Sequence, residues 1–589
     1  MQSPQAETFR FTDLPRALWL FLAGERWQYL FFLGVLLAVM FYTLLPPLLI
    51  GMSANFLIDY VKADAGARPA VSQLVTLIAI LAGSHAVVSM IRLSSKRVLG
   101  GISLNARYRA KVWGFERLLD YSLTWHQQES AGNKAQRILT GSEAVREWTG
   151  DMVNSLTSAF AAFVGSLIAC MLLHPAFIFF FAYYLGVLIT IESYFDRRIS
   201  LLSDNINKSI ENASGSFVES ASNILAVKAL GASSKMTSKV SQREELARTL
   251  SYQRLRLSNT KWMCFQIHNS ICWGSFLLVI GWMVMSGHLL AGFFLTYAAY
   301  FDRLRDAAVD FTDKIQLMIE RKSNLGRMMS IFWGTNTQTT GKQDFPVAWD
   351  AIHLQEASFR YGDKPAVGPL SITIPRAQVI GIAGHSGSGK STLIKLLLGL
   401  YHMEQGELRI GNTPIAQIRH EDLTANIAVV LQETELFNFT LRDNITMMRE
   451  VDPALLARAC EIACLDDLLA RLPGGLETMV GEKGYALSGG ERQRVGIARA
   501  ICRDAPILLM DEATSALDSV TERRVTEALM ADYAKGRTLI IVAHRISTLK
   551  DTDRVLVFEH GRIVEDGSFA ALAADSGGHL GQMYAIQSA

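Results

Sequence analysis

A glycine-rich stretch followed by a lysine and two hydroxyl residues is the clearest chemical signal in this 589-residue chain. Residues 384–392 read GHSGSGKST, which fits the phosphate-binding pattern G-x-x-x-x-G-K-[ST]. Glycines let backbone N–H groups converge on phosphate oxygens, and the helix that follows directs its positive end at them. Lys390 would contact the β- and γ-phosphates, and Ser391 would ligate Mg²⁺. The residues predicted to bind nucleotide here are Gly384, Ser386, Gly387, Ser388, Gly389, Lys390, Ser391 and Thr392.

Two carboxylates and an isolated histidine follow apolar runs further along the chain. Asp511 ends the run 507–511, and Glu512 comes next. Phosphoryl transfer needs positioning, charge stabilisation and one residue that orients or deprotonates the nucleophile. Asp511 is therefore placed to hold the Mg²⁺ shell, and Glu512 to face an attacking water. His544 follows the run 539–543, where a lone histidine is most often structural, so its residue type alone does not assign it a role.

The order of these motifs resembles a known family. Residues 487–491 read LSGGE and lie between the glycine-rich stretch and Asp511. Together the motifs resemble the nucleotide-binding domain of the ATP-binding cassette (ABC) family. The resemblance implies that Glu512 acts on the attacking water, that His544 is the switch histidine, that Gln432 relays nucleotide state and that Tyr361 stacks on adenine. The implied catalytic residues are Lys390, Glu512 and His544, and the implied Mg²⁺ ligands are Ser391, Gln432 and Asp511.

The LSGGE motif also implies a partner subunit. In the family, Ser488 and Gly490 contact the γ-phosphate bound to Lys390 of the other subunit, and Gly489 belongs to the same nucleotide-binding set. Two cassettes are then needed for hydrolysis, and this chain has one. No motif is degraded, and residues 515–518 match the family's D-loop. We therefore expect a homodimer with two active sites that uses ATP and Mg²⁺.

The remainder of the chain has the composition of a membrane protein. Half of the residues are hydrophobic and 19% are charged. A net charge of +2 favours neither nucleic acid nor an acidic partner. Because a span needs about 20 apolar residues, the two double-length stretches predict helical hairpins and the total is six spans. The stretches without Asp, Glu, Lys or Arg are 29–58, 69–91, 152–191 with a break at His174-Pro175, and 262–301 with a break at Ser286-Gly287-His288.

Charge distribution predicts the topology. The long connections near 92–150 and 192–261 are rich in Arg and Lys, which places them and both termini in the cytoplasm. No cleavable signal peptide is expected, and the compact loops favour a bacterial inner membrane. The predicted fold class is a six-helix all-α transmembrane domain followed by an α/β P-loop NTPase (ABC) domain. The predicted domains are an N-terminal cytoplasmic segment 1–27, a transmembrane domain 28–333, a linker 334–349 and the ABC domain 350–589.

Domain order and span number resemble type IV ABC exporters. The resemblance implies that the bends near 121–126 and 227–231 are coupling helices that dock on the cassettes beside Gln432. It also implies that ATP closes the cassette dimer and turns the membrane helices outward, and that hydrolysis resets them. A ligand can drive such a change only by binding one conformation better than the other.

The cargo is predicted from weaker features. Asp302, Asp306, Asp310 and Asp313 share a helical face and either line a cavity for polar or cationic cargo or pair with basic neighbours as a gate. Residues 300–304 are similar to the sixth helix of bacterial peptide and bacteriocin exporters. The predicted cargo is a peptide or amphiphilic small molecule, and the alternatives are a lipid or lipid-linked oligosaccharide flippase and a siderophore importer. Aromatic residues that either line a cavity or pack together are Trp262, Phe265, Trp273, Phe276, Phe293, Phe294, Tyr297 and Tyr300.

Overall fold

The chain divides into two compact units. The structure is a computed structural model that describes residues 9–64, 68–128, 131–173, 175, 177–332, 341–481 and 485–588. The first unit comprises Met1–Leu119 and Ala131–Gly334, and the second comprises Asp120–Ser130 and Thr335–Ala589. The first predicted coupling segment, 121–126, therefore belongs to the second unit, although the chain on both sides of it belongs to the first. The predicted linker lies partly outside the described residues.

The first unit is entirely helical. Its helices are α1 (Leu14–Phe21), α2 (Arg26–Met40), α3 (Leu45–Lys62), α4 (Val71–Leu119), α6 (Ala131–Glu147), α7 (Val153–Leu173), α8 (Phe177–Ser222), α9 (Ile224–Ala229), α10 (Ser233–Met285) and α11 (Gly292–Phe332). Both predicted hairpin breaks are found, since α7 ends before residue 174 and α10 ends before residue 286. A 3₁₀ segment, Phe41–Leu44, separates α2 from α3 directly before Pro46-Pro47. Proline lacks a backbone donor, which explains why the α-helix is interrupted there.

Five stretches of the described chain are long and apolar enough to cross a membrane: Arg26–Lys62, Val71–Leu119, Lys134–Leu172, Phe177–Ser203 and Ser233–Met285. The sixth predicted span is present as helix α11, but it does not meet the same test of apolar composition. Charged residues from Asp302 onward lower its hydropathy. Helix α11 therefore fails the test because of these charged residues, although its position and length are as expected.

Helices α3 and α11 pack with almost no space between them. A Cβ atom added to Gly51 would lie 1.9 Å from Thr296 Oγ1, and one added to Gly292 would lie 2.4 Å from the Gly51 carbonyl oxygen. A row of donors on α11 reaches the proline-interrupted region: Thr296 Oγ1 donates to the Pro47 carbonyl at 2.9 Å, Tyr300 OH donates to the Leu44 carbonyl at 2.8 Å, and Arg303 donates to the Thr43 carbonyl. These bonds satisfy backbone carbonyls near the interruption, which would be costly to leave unpaired in an apolar environment.

The residues considered for cargo have partners inside the first unit. Asp302 and Asp306 both pair with Arg305, at 2.8 and 2.9 Å. Phe265 and Phe276 are buried in an aromatic cluster with Phe181 and Phe301, so they pack against their neighbours. The side chain of Asp313 lies outside those described. Asp302 and Asp306 thus have a basic partner, and Phe265 and Phe276 pack against their neighbours, as the pairing and packing alternatives predict for these four residues.

The second unit contains two sheets. Its strands are β1 (Ala351–Tyr361), β2 (Lys364–Pro375), β3 (Val379–Gly384), β4 (Gln405–Ile410), β5 (Thr413–Pro414), β6 (Ile427–Val430), β7 (Ile507–Asp511), β8 (Thr538–Val542), β9 (Arg554–Glu559) and β10 (Arg562–Gly567). One sheet has the order β2-β1-β4-β5 and is antiparallel. The other has the order β10-β9-β3-β8-β7-β6 and is parallel except for β10.

Helices cover the parallel sheet. They are α12 (Lys390–Leu397), α13 (His420–Asn426), α14 (Leu441–Thr446), α15 (Pro453–Ile462), α16 (Asp466–Arg471), α17 (Gly489–Ile501), α18 (Ser519–Ala528), α19 (Phe569–Ala574) and α20 (His579–Ser588). Alternate residues of the central strands are buried in two separate apolar clusters: Leu539 and Ile541 face one cluster, and Ile540 and Val542 face the other. Because side chains alternate along a strand, both faces of this sheet are buried, as expected for a parallel sheet. Helix α5 (Leu123–Gln128) also belongs to this unit, and Leu123 packs on the second cluster.

Candidate nucleotide site

Three of the predicted motifs emerge from one edge of the parallel sheet. Strand β3 ends at Gly384, β7 ends at Asp511 and β8 ends at Val542, two residues before His544. Asp511 is paired with Val542, and Val542 is paired with Ile382. Carboxyl ends of adjacent parallel strands form the usual ligand-binding edge of such sheets. The topology therefore brings together the glycine loop, the two carboxylates and the histidine.

The loop between β3 and α12 needs glycine at specific positions. Gly384, Gly387 and Gly389 have φ angles of 146°, 80° and 105°. A Cβ atom on Gly384 would lie 2.3 Å from the Phe558 carbonyl oxygen, and one on Gly389 would lie 2.4 Å from the Ala366 carbonyl oxygen. The backbone is thus held in a conformation that L side chains rarely adopt. Ser386 and Gly387 lie exposed at the loop surface.

Lys390 is buried at the start of α12 and points back into the loop. Its Nζ donates to the carbonyls of Gly384 at 2.8 Å and His385 at 2.9 Å. Burial lowers the pKa of this lysine, while Glu512 and Asp511 oppose the change. The Ser388 hydroxyl is buried and has no hydrogen-bond partner among the described residues. A buried unpaired hydroxyl is costly, and a phosphate oxygen in the loop would satisfy it, so the loop fits a bound triphosphate.

Ser391 and Asp511 form the oxygen pair expected for a divalent cation. Ser391 Oγ donates to Asp511 Oδ1 at 3.1 Å. Burial raises the pKa of Asp511, and the hydrogen bond from Ser391 opposes that rise. Hard oxygen donors are the ligands that Mg²⁺ prefers, so these two residues fit the ion. Within the described chain, no cluster of three or more His, Cys, Asp or Glu side chains could hold a metal.

Glu512 contacts two other residues that the sequence assigned to the nucleotide site. Gln432 Nε2 donates to Glu512 Oε2 at 2.7 Å, and His544 Nε2 lies 2.9 Å from Glu512 Oε1. Glu512 has a φ of 51° and its backbone N–H donates to the Val542 carbonyl. A positive φ is unusual for glutamate and is found at functional sites that the surrounding structure constrains. The structure thus gives the side chain of Gln432 a contact with Glu512, and its role as a Mg²⁺ ligand stays a prediction.

Tyr361 ends β1 and is partly exposed. Its hydroxyl lies 3.4 Å from Thr392 Oγ1, which ties it to the first turn of α12. The ring makes edge contacts with Phe359 and Tyr401, with centroids 4.9 and 5.5 Å apart. Burial raises the pKa of Tyr401 to about 12. Tyr361 is 38% exposed, and an exposed aromatic ring is suited to stacking on a base.

The LSGGE residues form the start of α17. Ser488 caps this helix, accepting from Glu491 N–H at 3.3 Å while its own N–H donates to Glu491 Oε2 at 2.7 Å. This reciprocal capping box explains why glutamate follows the two glycines. A Cβ atom on Gly490 would lie 3.0 Å from the Ala516 carbonyl oxygen, so glycine lets α17 approach the D-loop. Ser488 and Gly489 are exposed, and the hydrogen bonds of Ser488 are local.

Gln493 was not among the sequence-predicted residues, yet it joins three of the motifs. It is buried; its Oε1 accepts from Ala516 N–H at 2.8 Å and its Nε2 donates to Ser515 Oγ at 3.0 Å. The same Nε2 lies 3.4 Å from the carbonyls of Gln432 and Glu512. A glutamine two residues after the LSGGE motif gives no chemical signal of its own. The link that Gln493 makes between α17 and the D-loop is visible only in the folded chain, where its side chain is buried.

Glu522 was also missed. It is buried on α18 and accepts from Thr514 Oγ1 at 2.8 Å and from Thr548 Oγ1 at 2.9 Å. Its second oxygen pairs with Arg545, the neighbour of His544. One carboxylate therefore fixes the segments after Glu512 and after His544. Spacing in the sequence could not indicate this, because Glu522 and its donors lie on separate segments, with Thr514 before it and Arg545 and Thr548 after it.

Comparisons with known proteins match both parts of the chain. The family model described as ABC transporter matches residues 367–515, and the model described as ABC transporter transmembrane region matches residues 29–307. An ATP-dependent lipid A-core flippase of Photobacterium profundum is 29% identical over 525 residues, which cover 86% of each chain. In three dimensions, a bacterial Atm1-family ABC exporter with ATP bound matches with a TM-score of 0.81 at 24% identity, covering 96% of this chain and 100% of the other.

Other relatives match over a shorter length. A mycobactin import ATP-binding/permease protein of Mycolicibacterium thermoresistibile is 44% identical over 240 residues, which span 41% of each chain. A lipid A-core flippase of Aromatoleum aromaticum is 41% identical over 240 residues, which span 40% of each chain. These two alignments thus cover about two fifths of the relatives' length.

The predicted family resemblance and the predicted fold class, transmembrane helices followed by an α/β nucleotide-binding domain, are both confirmed. The membrane region match and the long apolar helices make the chain an integral membrane protein. The chain belongs to the ABC transporter family of ATP-hydrolysing membrane transporters.

Proposed function

We propose that the chain is a homodimeric ATP-driven transporter that moves an amphiphilic, lipid-like molecule across the membrane. The observation that carries the ATPase part is the convergence at one sheet edge. Glu512 lies within hydrogen-bond distance of both Gln432 and His544, beside the Ser391–Asp511 pair. This arrangement supports a general base, a residue that orients it and an adjacent pair of cation ligands, which are groups that phosphoryl transfer uses.

Each residue has a defined proposed role. The glycine loop and Lys390 bind the phosphates, and Tyr361 stacks on the base. Glu512 takes the proton of the attacking water, and His544 orients that carboxylate because its Nε2 lies 2.9 Å away. Ser391, Asp511 and Gln432 would hold Mg²⁺, which when bound supplies charge neutralisation for the phosphates.

The proposed site is completed by a second copy of the chain. Ser488 and Gly489 are exposed at the positive end of α17. The hydrogen bonds described for Ser488 are both with Glu491, and neither involves the glycine loop of the same chain. A helix N-terminus with free N–H groups is suited to an anion, and here the anion is the γ-phosphate in the partner. The intact motifs support two equivalent sites, and hence a homodimer.

Two segments are proposed to couple the cassette to the membrane helices. Helix α5 contributes Leu123 to the apolar cluster that includes Tyr401. Leu225 in helix α9 and Leu230, directly after it, are each 81% exposed at the second predicted bend. An apolar pair on a short helix is suited to docking on another apolar surface. The proposed domains remain 1–27, 28–333, 334–349 and 350–589, with the termini and cassette in the cytoplasm of a bacterial cell.

The cargo proposal follows from two observations. Asp302 and Asp306 are paired with Arg305, so they do not support a cavity for a cationic peptide. The relative aligned over 86% of the chain is named as a lipid A-core flippase. Peptide cargo therefore has less support than a lipid or lipid-linked amphiphile, and siderophore import has support only from a relative aligned over 41% of the chain.

The proposal is tested by reconstituting the purified chain and Glu512→Gln in liposomes that contain a fluorescent phospholipid and a lipid A-type glycolipid. Movement between leaflets is followed by quenching with a membrane-impermeant reductant. A labelled amphipathic peptide is supplied in parallel, and its accumulation inside the vesicles is measured with the same preparations.

We expect lipid movement that needs ATP and the wild-type chain and that is absent with Glu512→Gln. Accumulation of the peptide without movement of either lipid would overturn the lipid proposal and favour the peptide alternative. If neither cargo moves while ATP is hydrolysed, the proposed cargo class is wrong and the ATPase assignment stands.

A further inference from the structure

The last helix of the cassette lies against the segment that follows His544. Leu580 is fully buried in the core cluster that also contains Ile546 and Leu549. One and two turns further, Tyr584 packs its ring 5.3 Å from Lys550 Nζ, and Gln587 reaches the backbone around Arg545. Residues at spacings of four and three lie on one face of a helix. This face of α20 is therefore turned toward the histidine segment.

Gln587 makes two complementary hydrogen bonds with that segment. Its Oε1 accepts from the Ile546 N–H at 2.8 Å, and its Nε2 donates to the His544 carbonyl at 2.7 Å. One side-chain amide thus bonds the backbone on both sides of Arg545. The bond to Ile546 is the only one that the described hydrogen bonds give to that N–H, which starts the 3₁₀ turn Ile546–Leu549.

The other end of α20 is also fixed. The Glu565 carboxylate, from β10, accepts from the first two N–H groups of the helix, those of His579 and Leu580, the latter at 3.0 Å. A carboxylate at a helix N-terminus satisfies unpaired donors and interacts favourably with the helix dipole. Because Glu565 and the buried Leu580 hold the first turn of α20, Gln587 in the last turn reaches His544 from a defined position.

The side chain of His544 is not positioned by burial, because 49% of it is exposed, whereas the side chain of Glu512 is 7% exposed. The 2.9 Å approach of His544 Nε2 to Glu512 therefore depends on where the histidine backbone lies. We propose that Gln587 is a positioning residue for the ATPase reaction, holding the His544 backbone so that the imidazole meets Glu512. The inference rests on the proposed function and adds to it a role for the C-terminal helix.

The test compares ATP turnover by the full-length chain with Gln587→Ala, Gln587→Glu and Gln582→Ala. Gln582 is a matched control because it lies on the same helix and donates to the Gly577 carbonyl at 3.1 Å, with no contact to the histidine segment. We expect Gln587→Ala to lower kcat by about tenfold with little change in KM, because small displacements of a catalytic group cost rate and leave ATP binding intact. Gln587→Glu keeps the acceptor for Ile546 N–H but loses the donor for the His544 carbonyl, so its kcat should lie between those of the wild type and Gln587→Ala.

A kcat for Gln587→Ala within twofold of Gln582→Ala would overturn the inference. Equal losses of kcat and of thermal stability in both variants would also overturn it, because the helix would then act only through folding. Absence of Mg²⁺-dependent turnover in the wild type would instead remove the proposed function itself. The two failures are therefore distinguished by the wild-type control.

Discussion

Glu522 gives a stability prediction whose size follows from its contacts. The carboxylate accepts from Thr514 and Thr548 and pairs with Arg545, so Glu522→Ala removes three partners at once. Each hydrogen bond contributes about 1 kcal/mol, and the buried Thr514 hydroxyl would be left without its acceptor. We expect a loss of about 3 kcal/mol. For a domain of this size that corresponds to a fall of about 6–12 °C in the temperature of cassette unfolding.

The matched control lies five residues later on the same helix. Glu527 pairs with Arg523, and their side chains are 59% and 81% exposed. Exposed pairs contribute about 0–1 kcal/mol, so Glu527→Ala should shift the transition by no more than about 4 °C. The assay is thermal unfolding of the detergent-purified full-length chain by scanning fluorimetry at one fixed heating rate, because membrane proteins unfold irreversibly.

Equal shifts in the two variants would refute this reasoning. Such a result would mean that the Glu522 carboxylate does not hold the segments after Glu512 and His544. A large shift for Glu522→Ala with unchanged ATP turnover would leave the stability argument intact and would separate folding from catalysis.

Three further predictions concern the loop, the cation and the membrane helices. Gly389→Ala should abolish binding of a fluorescent ATP analogue, because its Cβ would lie 2.4 Å from the Ala366 carbonyl oxygen. The control Gly536→Ala has a similar positive φ of 77° but nothing within 4 Å of its Cβ, so it should bind the analogue normally. Ser391→Ala should raise the Mg²⁺ concentration for half-maximal turnover by about tenfold or more, because it removes a predicted ligand. If a Mg²⁺ titration gives the same half-maximal concentration as the wild type, Ser391 does not ligate the ion. Gly51→Leu should give an aggregated or destabilised protein in size-exclusion chromatography, because its Cβ would lie 1.9 Å from Thr296 Oγ1. The control Gly83→Leu, which has nothing within 4 Å of its Cβ, should elute like the wild type.

The parts of the site that could be predicted are those in which chemistry fixes both residue type and spacing. A phosphate loop needs its glycines and lysine in one short stretch, so Gly384, Lys390 and Ser391 were identifiable from sequence. Gln493 and Glu522 could not be identified, because a buried glutamine or glutamate gains its meaning from partners brought together only by the fold. Gln587 is a further case, since its partners lie more than forty positions away.

The same distinction applies to the fold. Spans without charge predicted the helices and both hairpin breaks, because a bilayer forbids unpaired backbone and charged side chains. Helix α11 was predicted from the second half of the uncharged stretch 262–301, and the charged residues that follow from Asp302 make it fail the composition test for a span. The sequence left a cargo cavity and a paired gate open at Asp302, and the structure shows Asp302 paired with Arg305.

The central claim is that Glu512, held by Gln432 and His544, is the base of an ATPase. The measurement that tests it most directly is Mg²⁺-dependent phosphate release by the liposome-reconstituted chain and by Glu512→Gln, with ATP binding measured on the same samples. We expect unchanged binding and a turnover lower by about 10²–10⁴-fold, the usual contribution of a general base. Turnover in Glu512→Gln within a fewfold of the wild type would show that Glu512 is not the base.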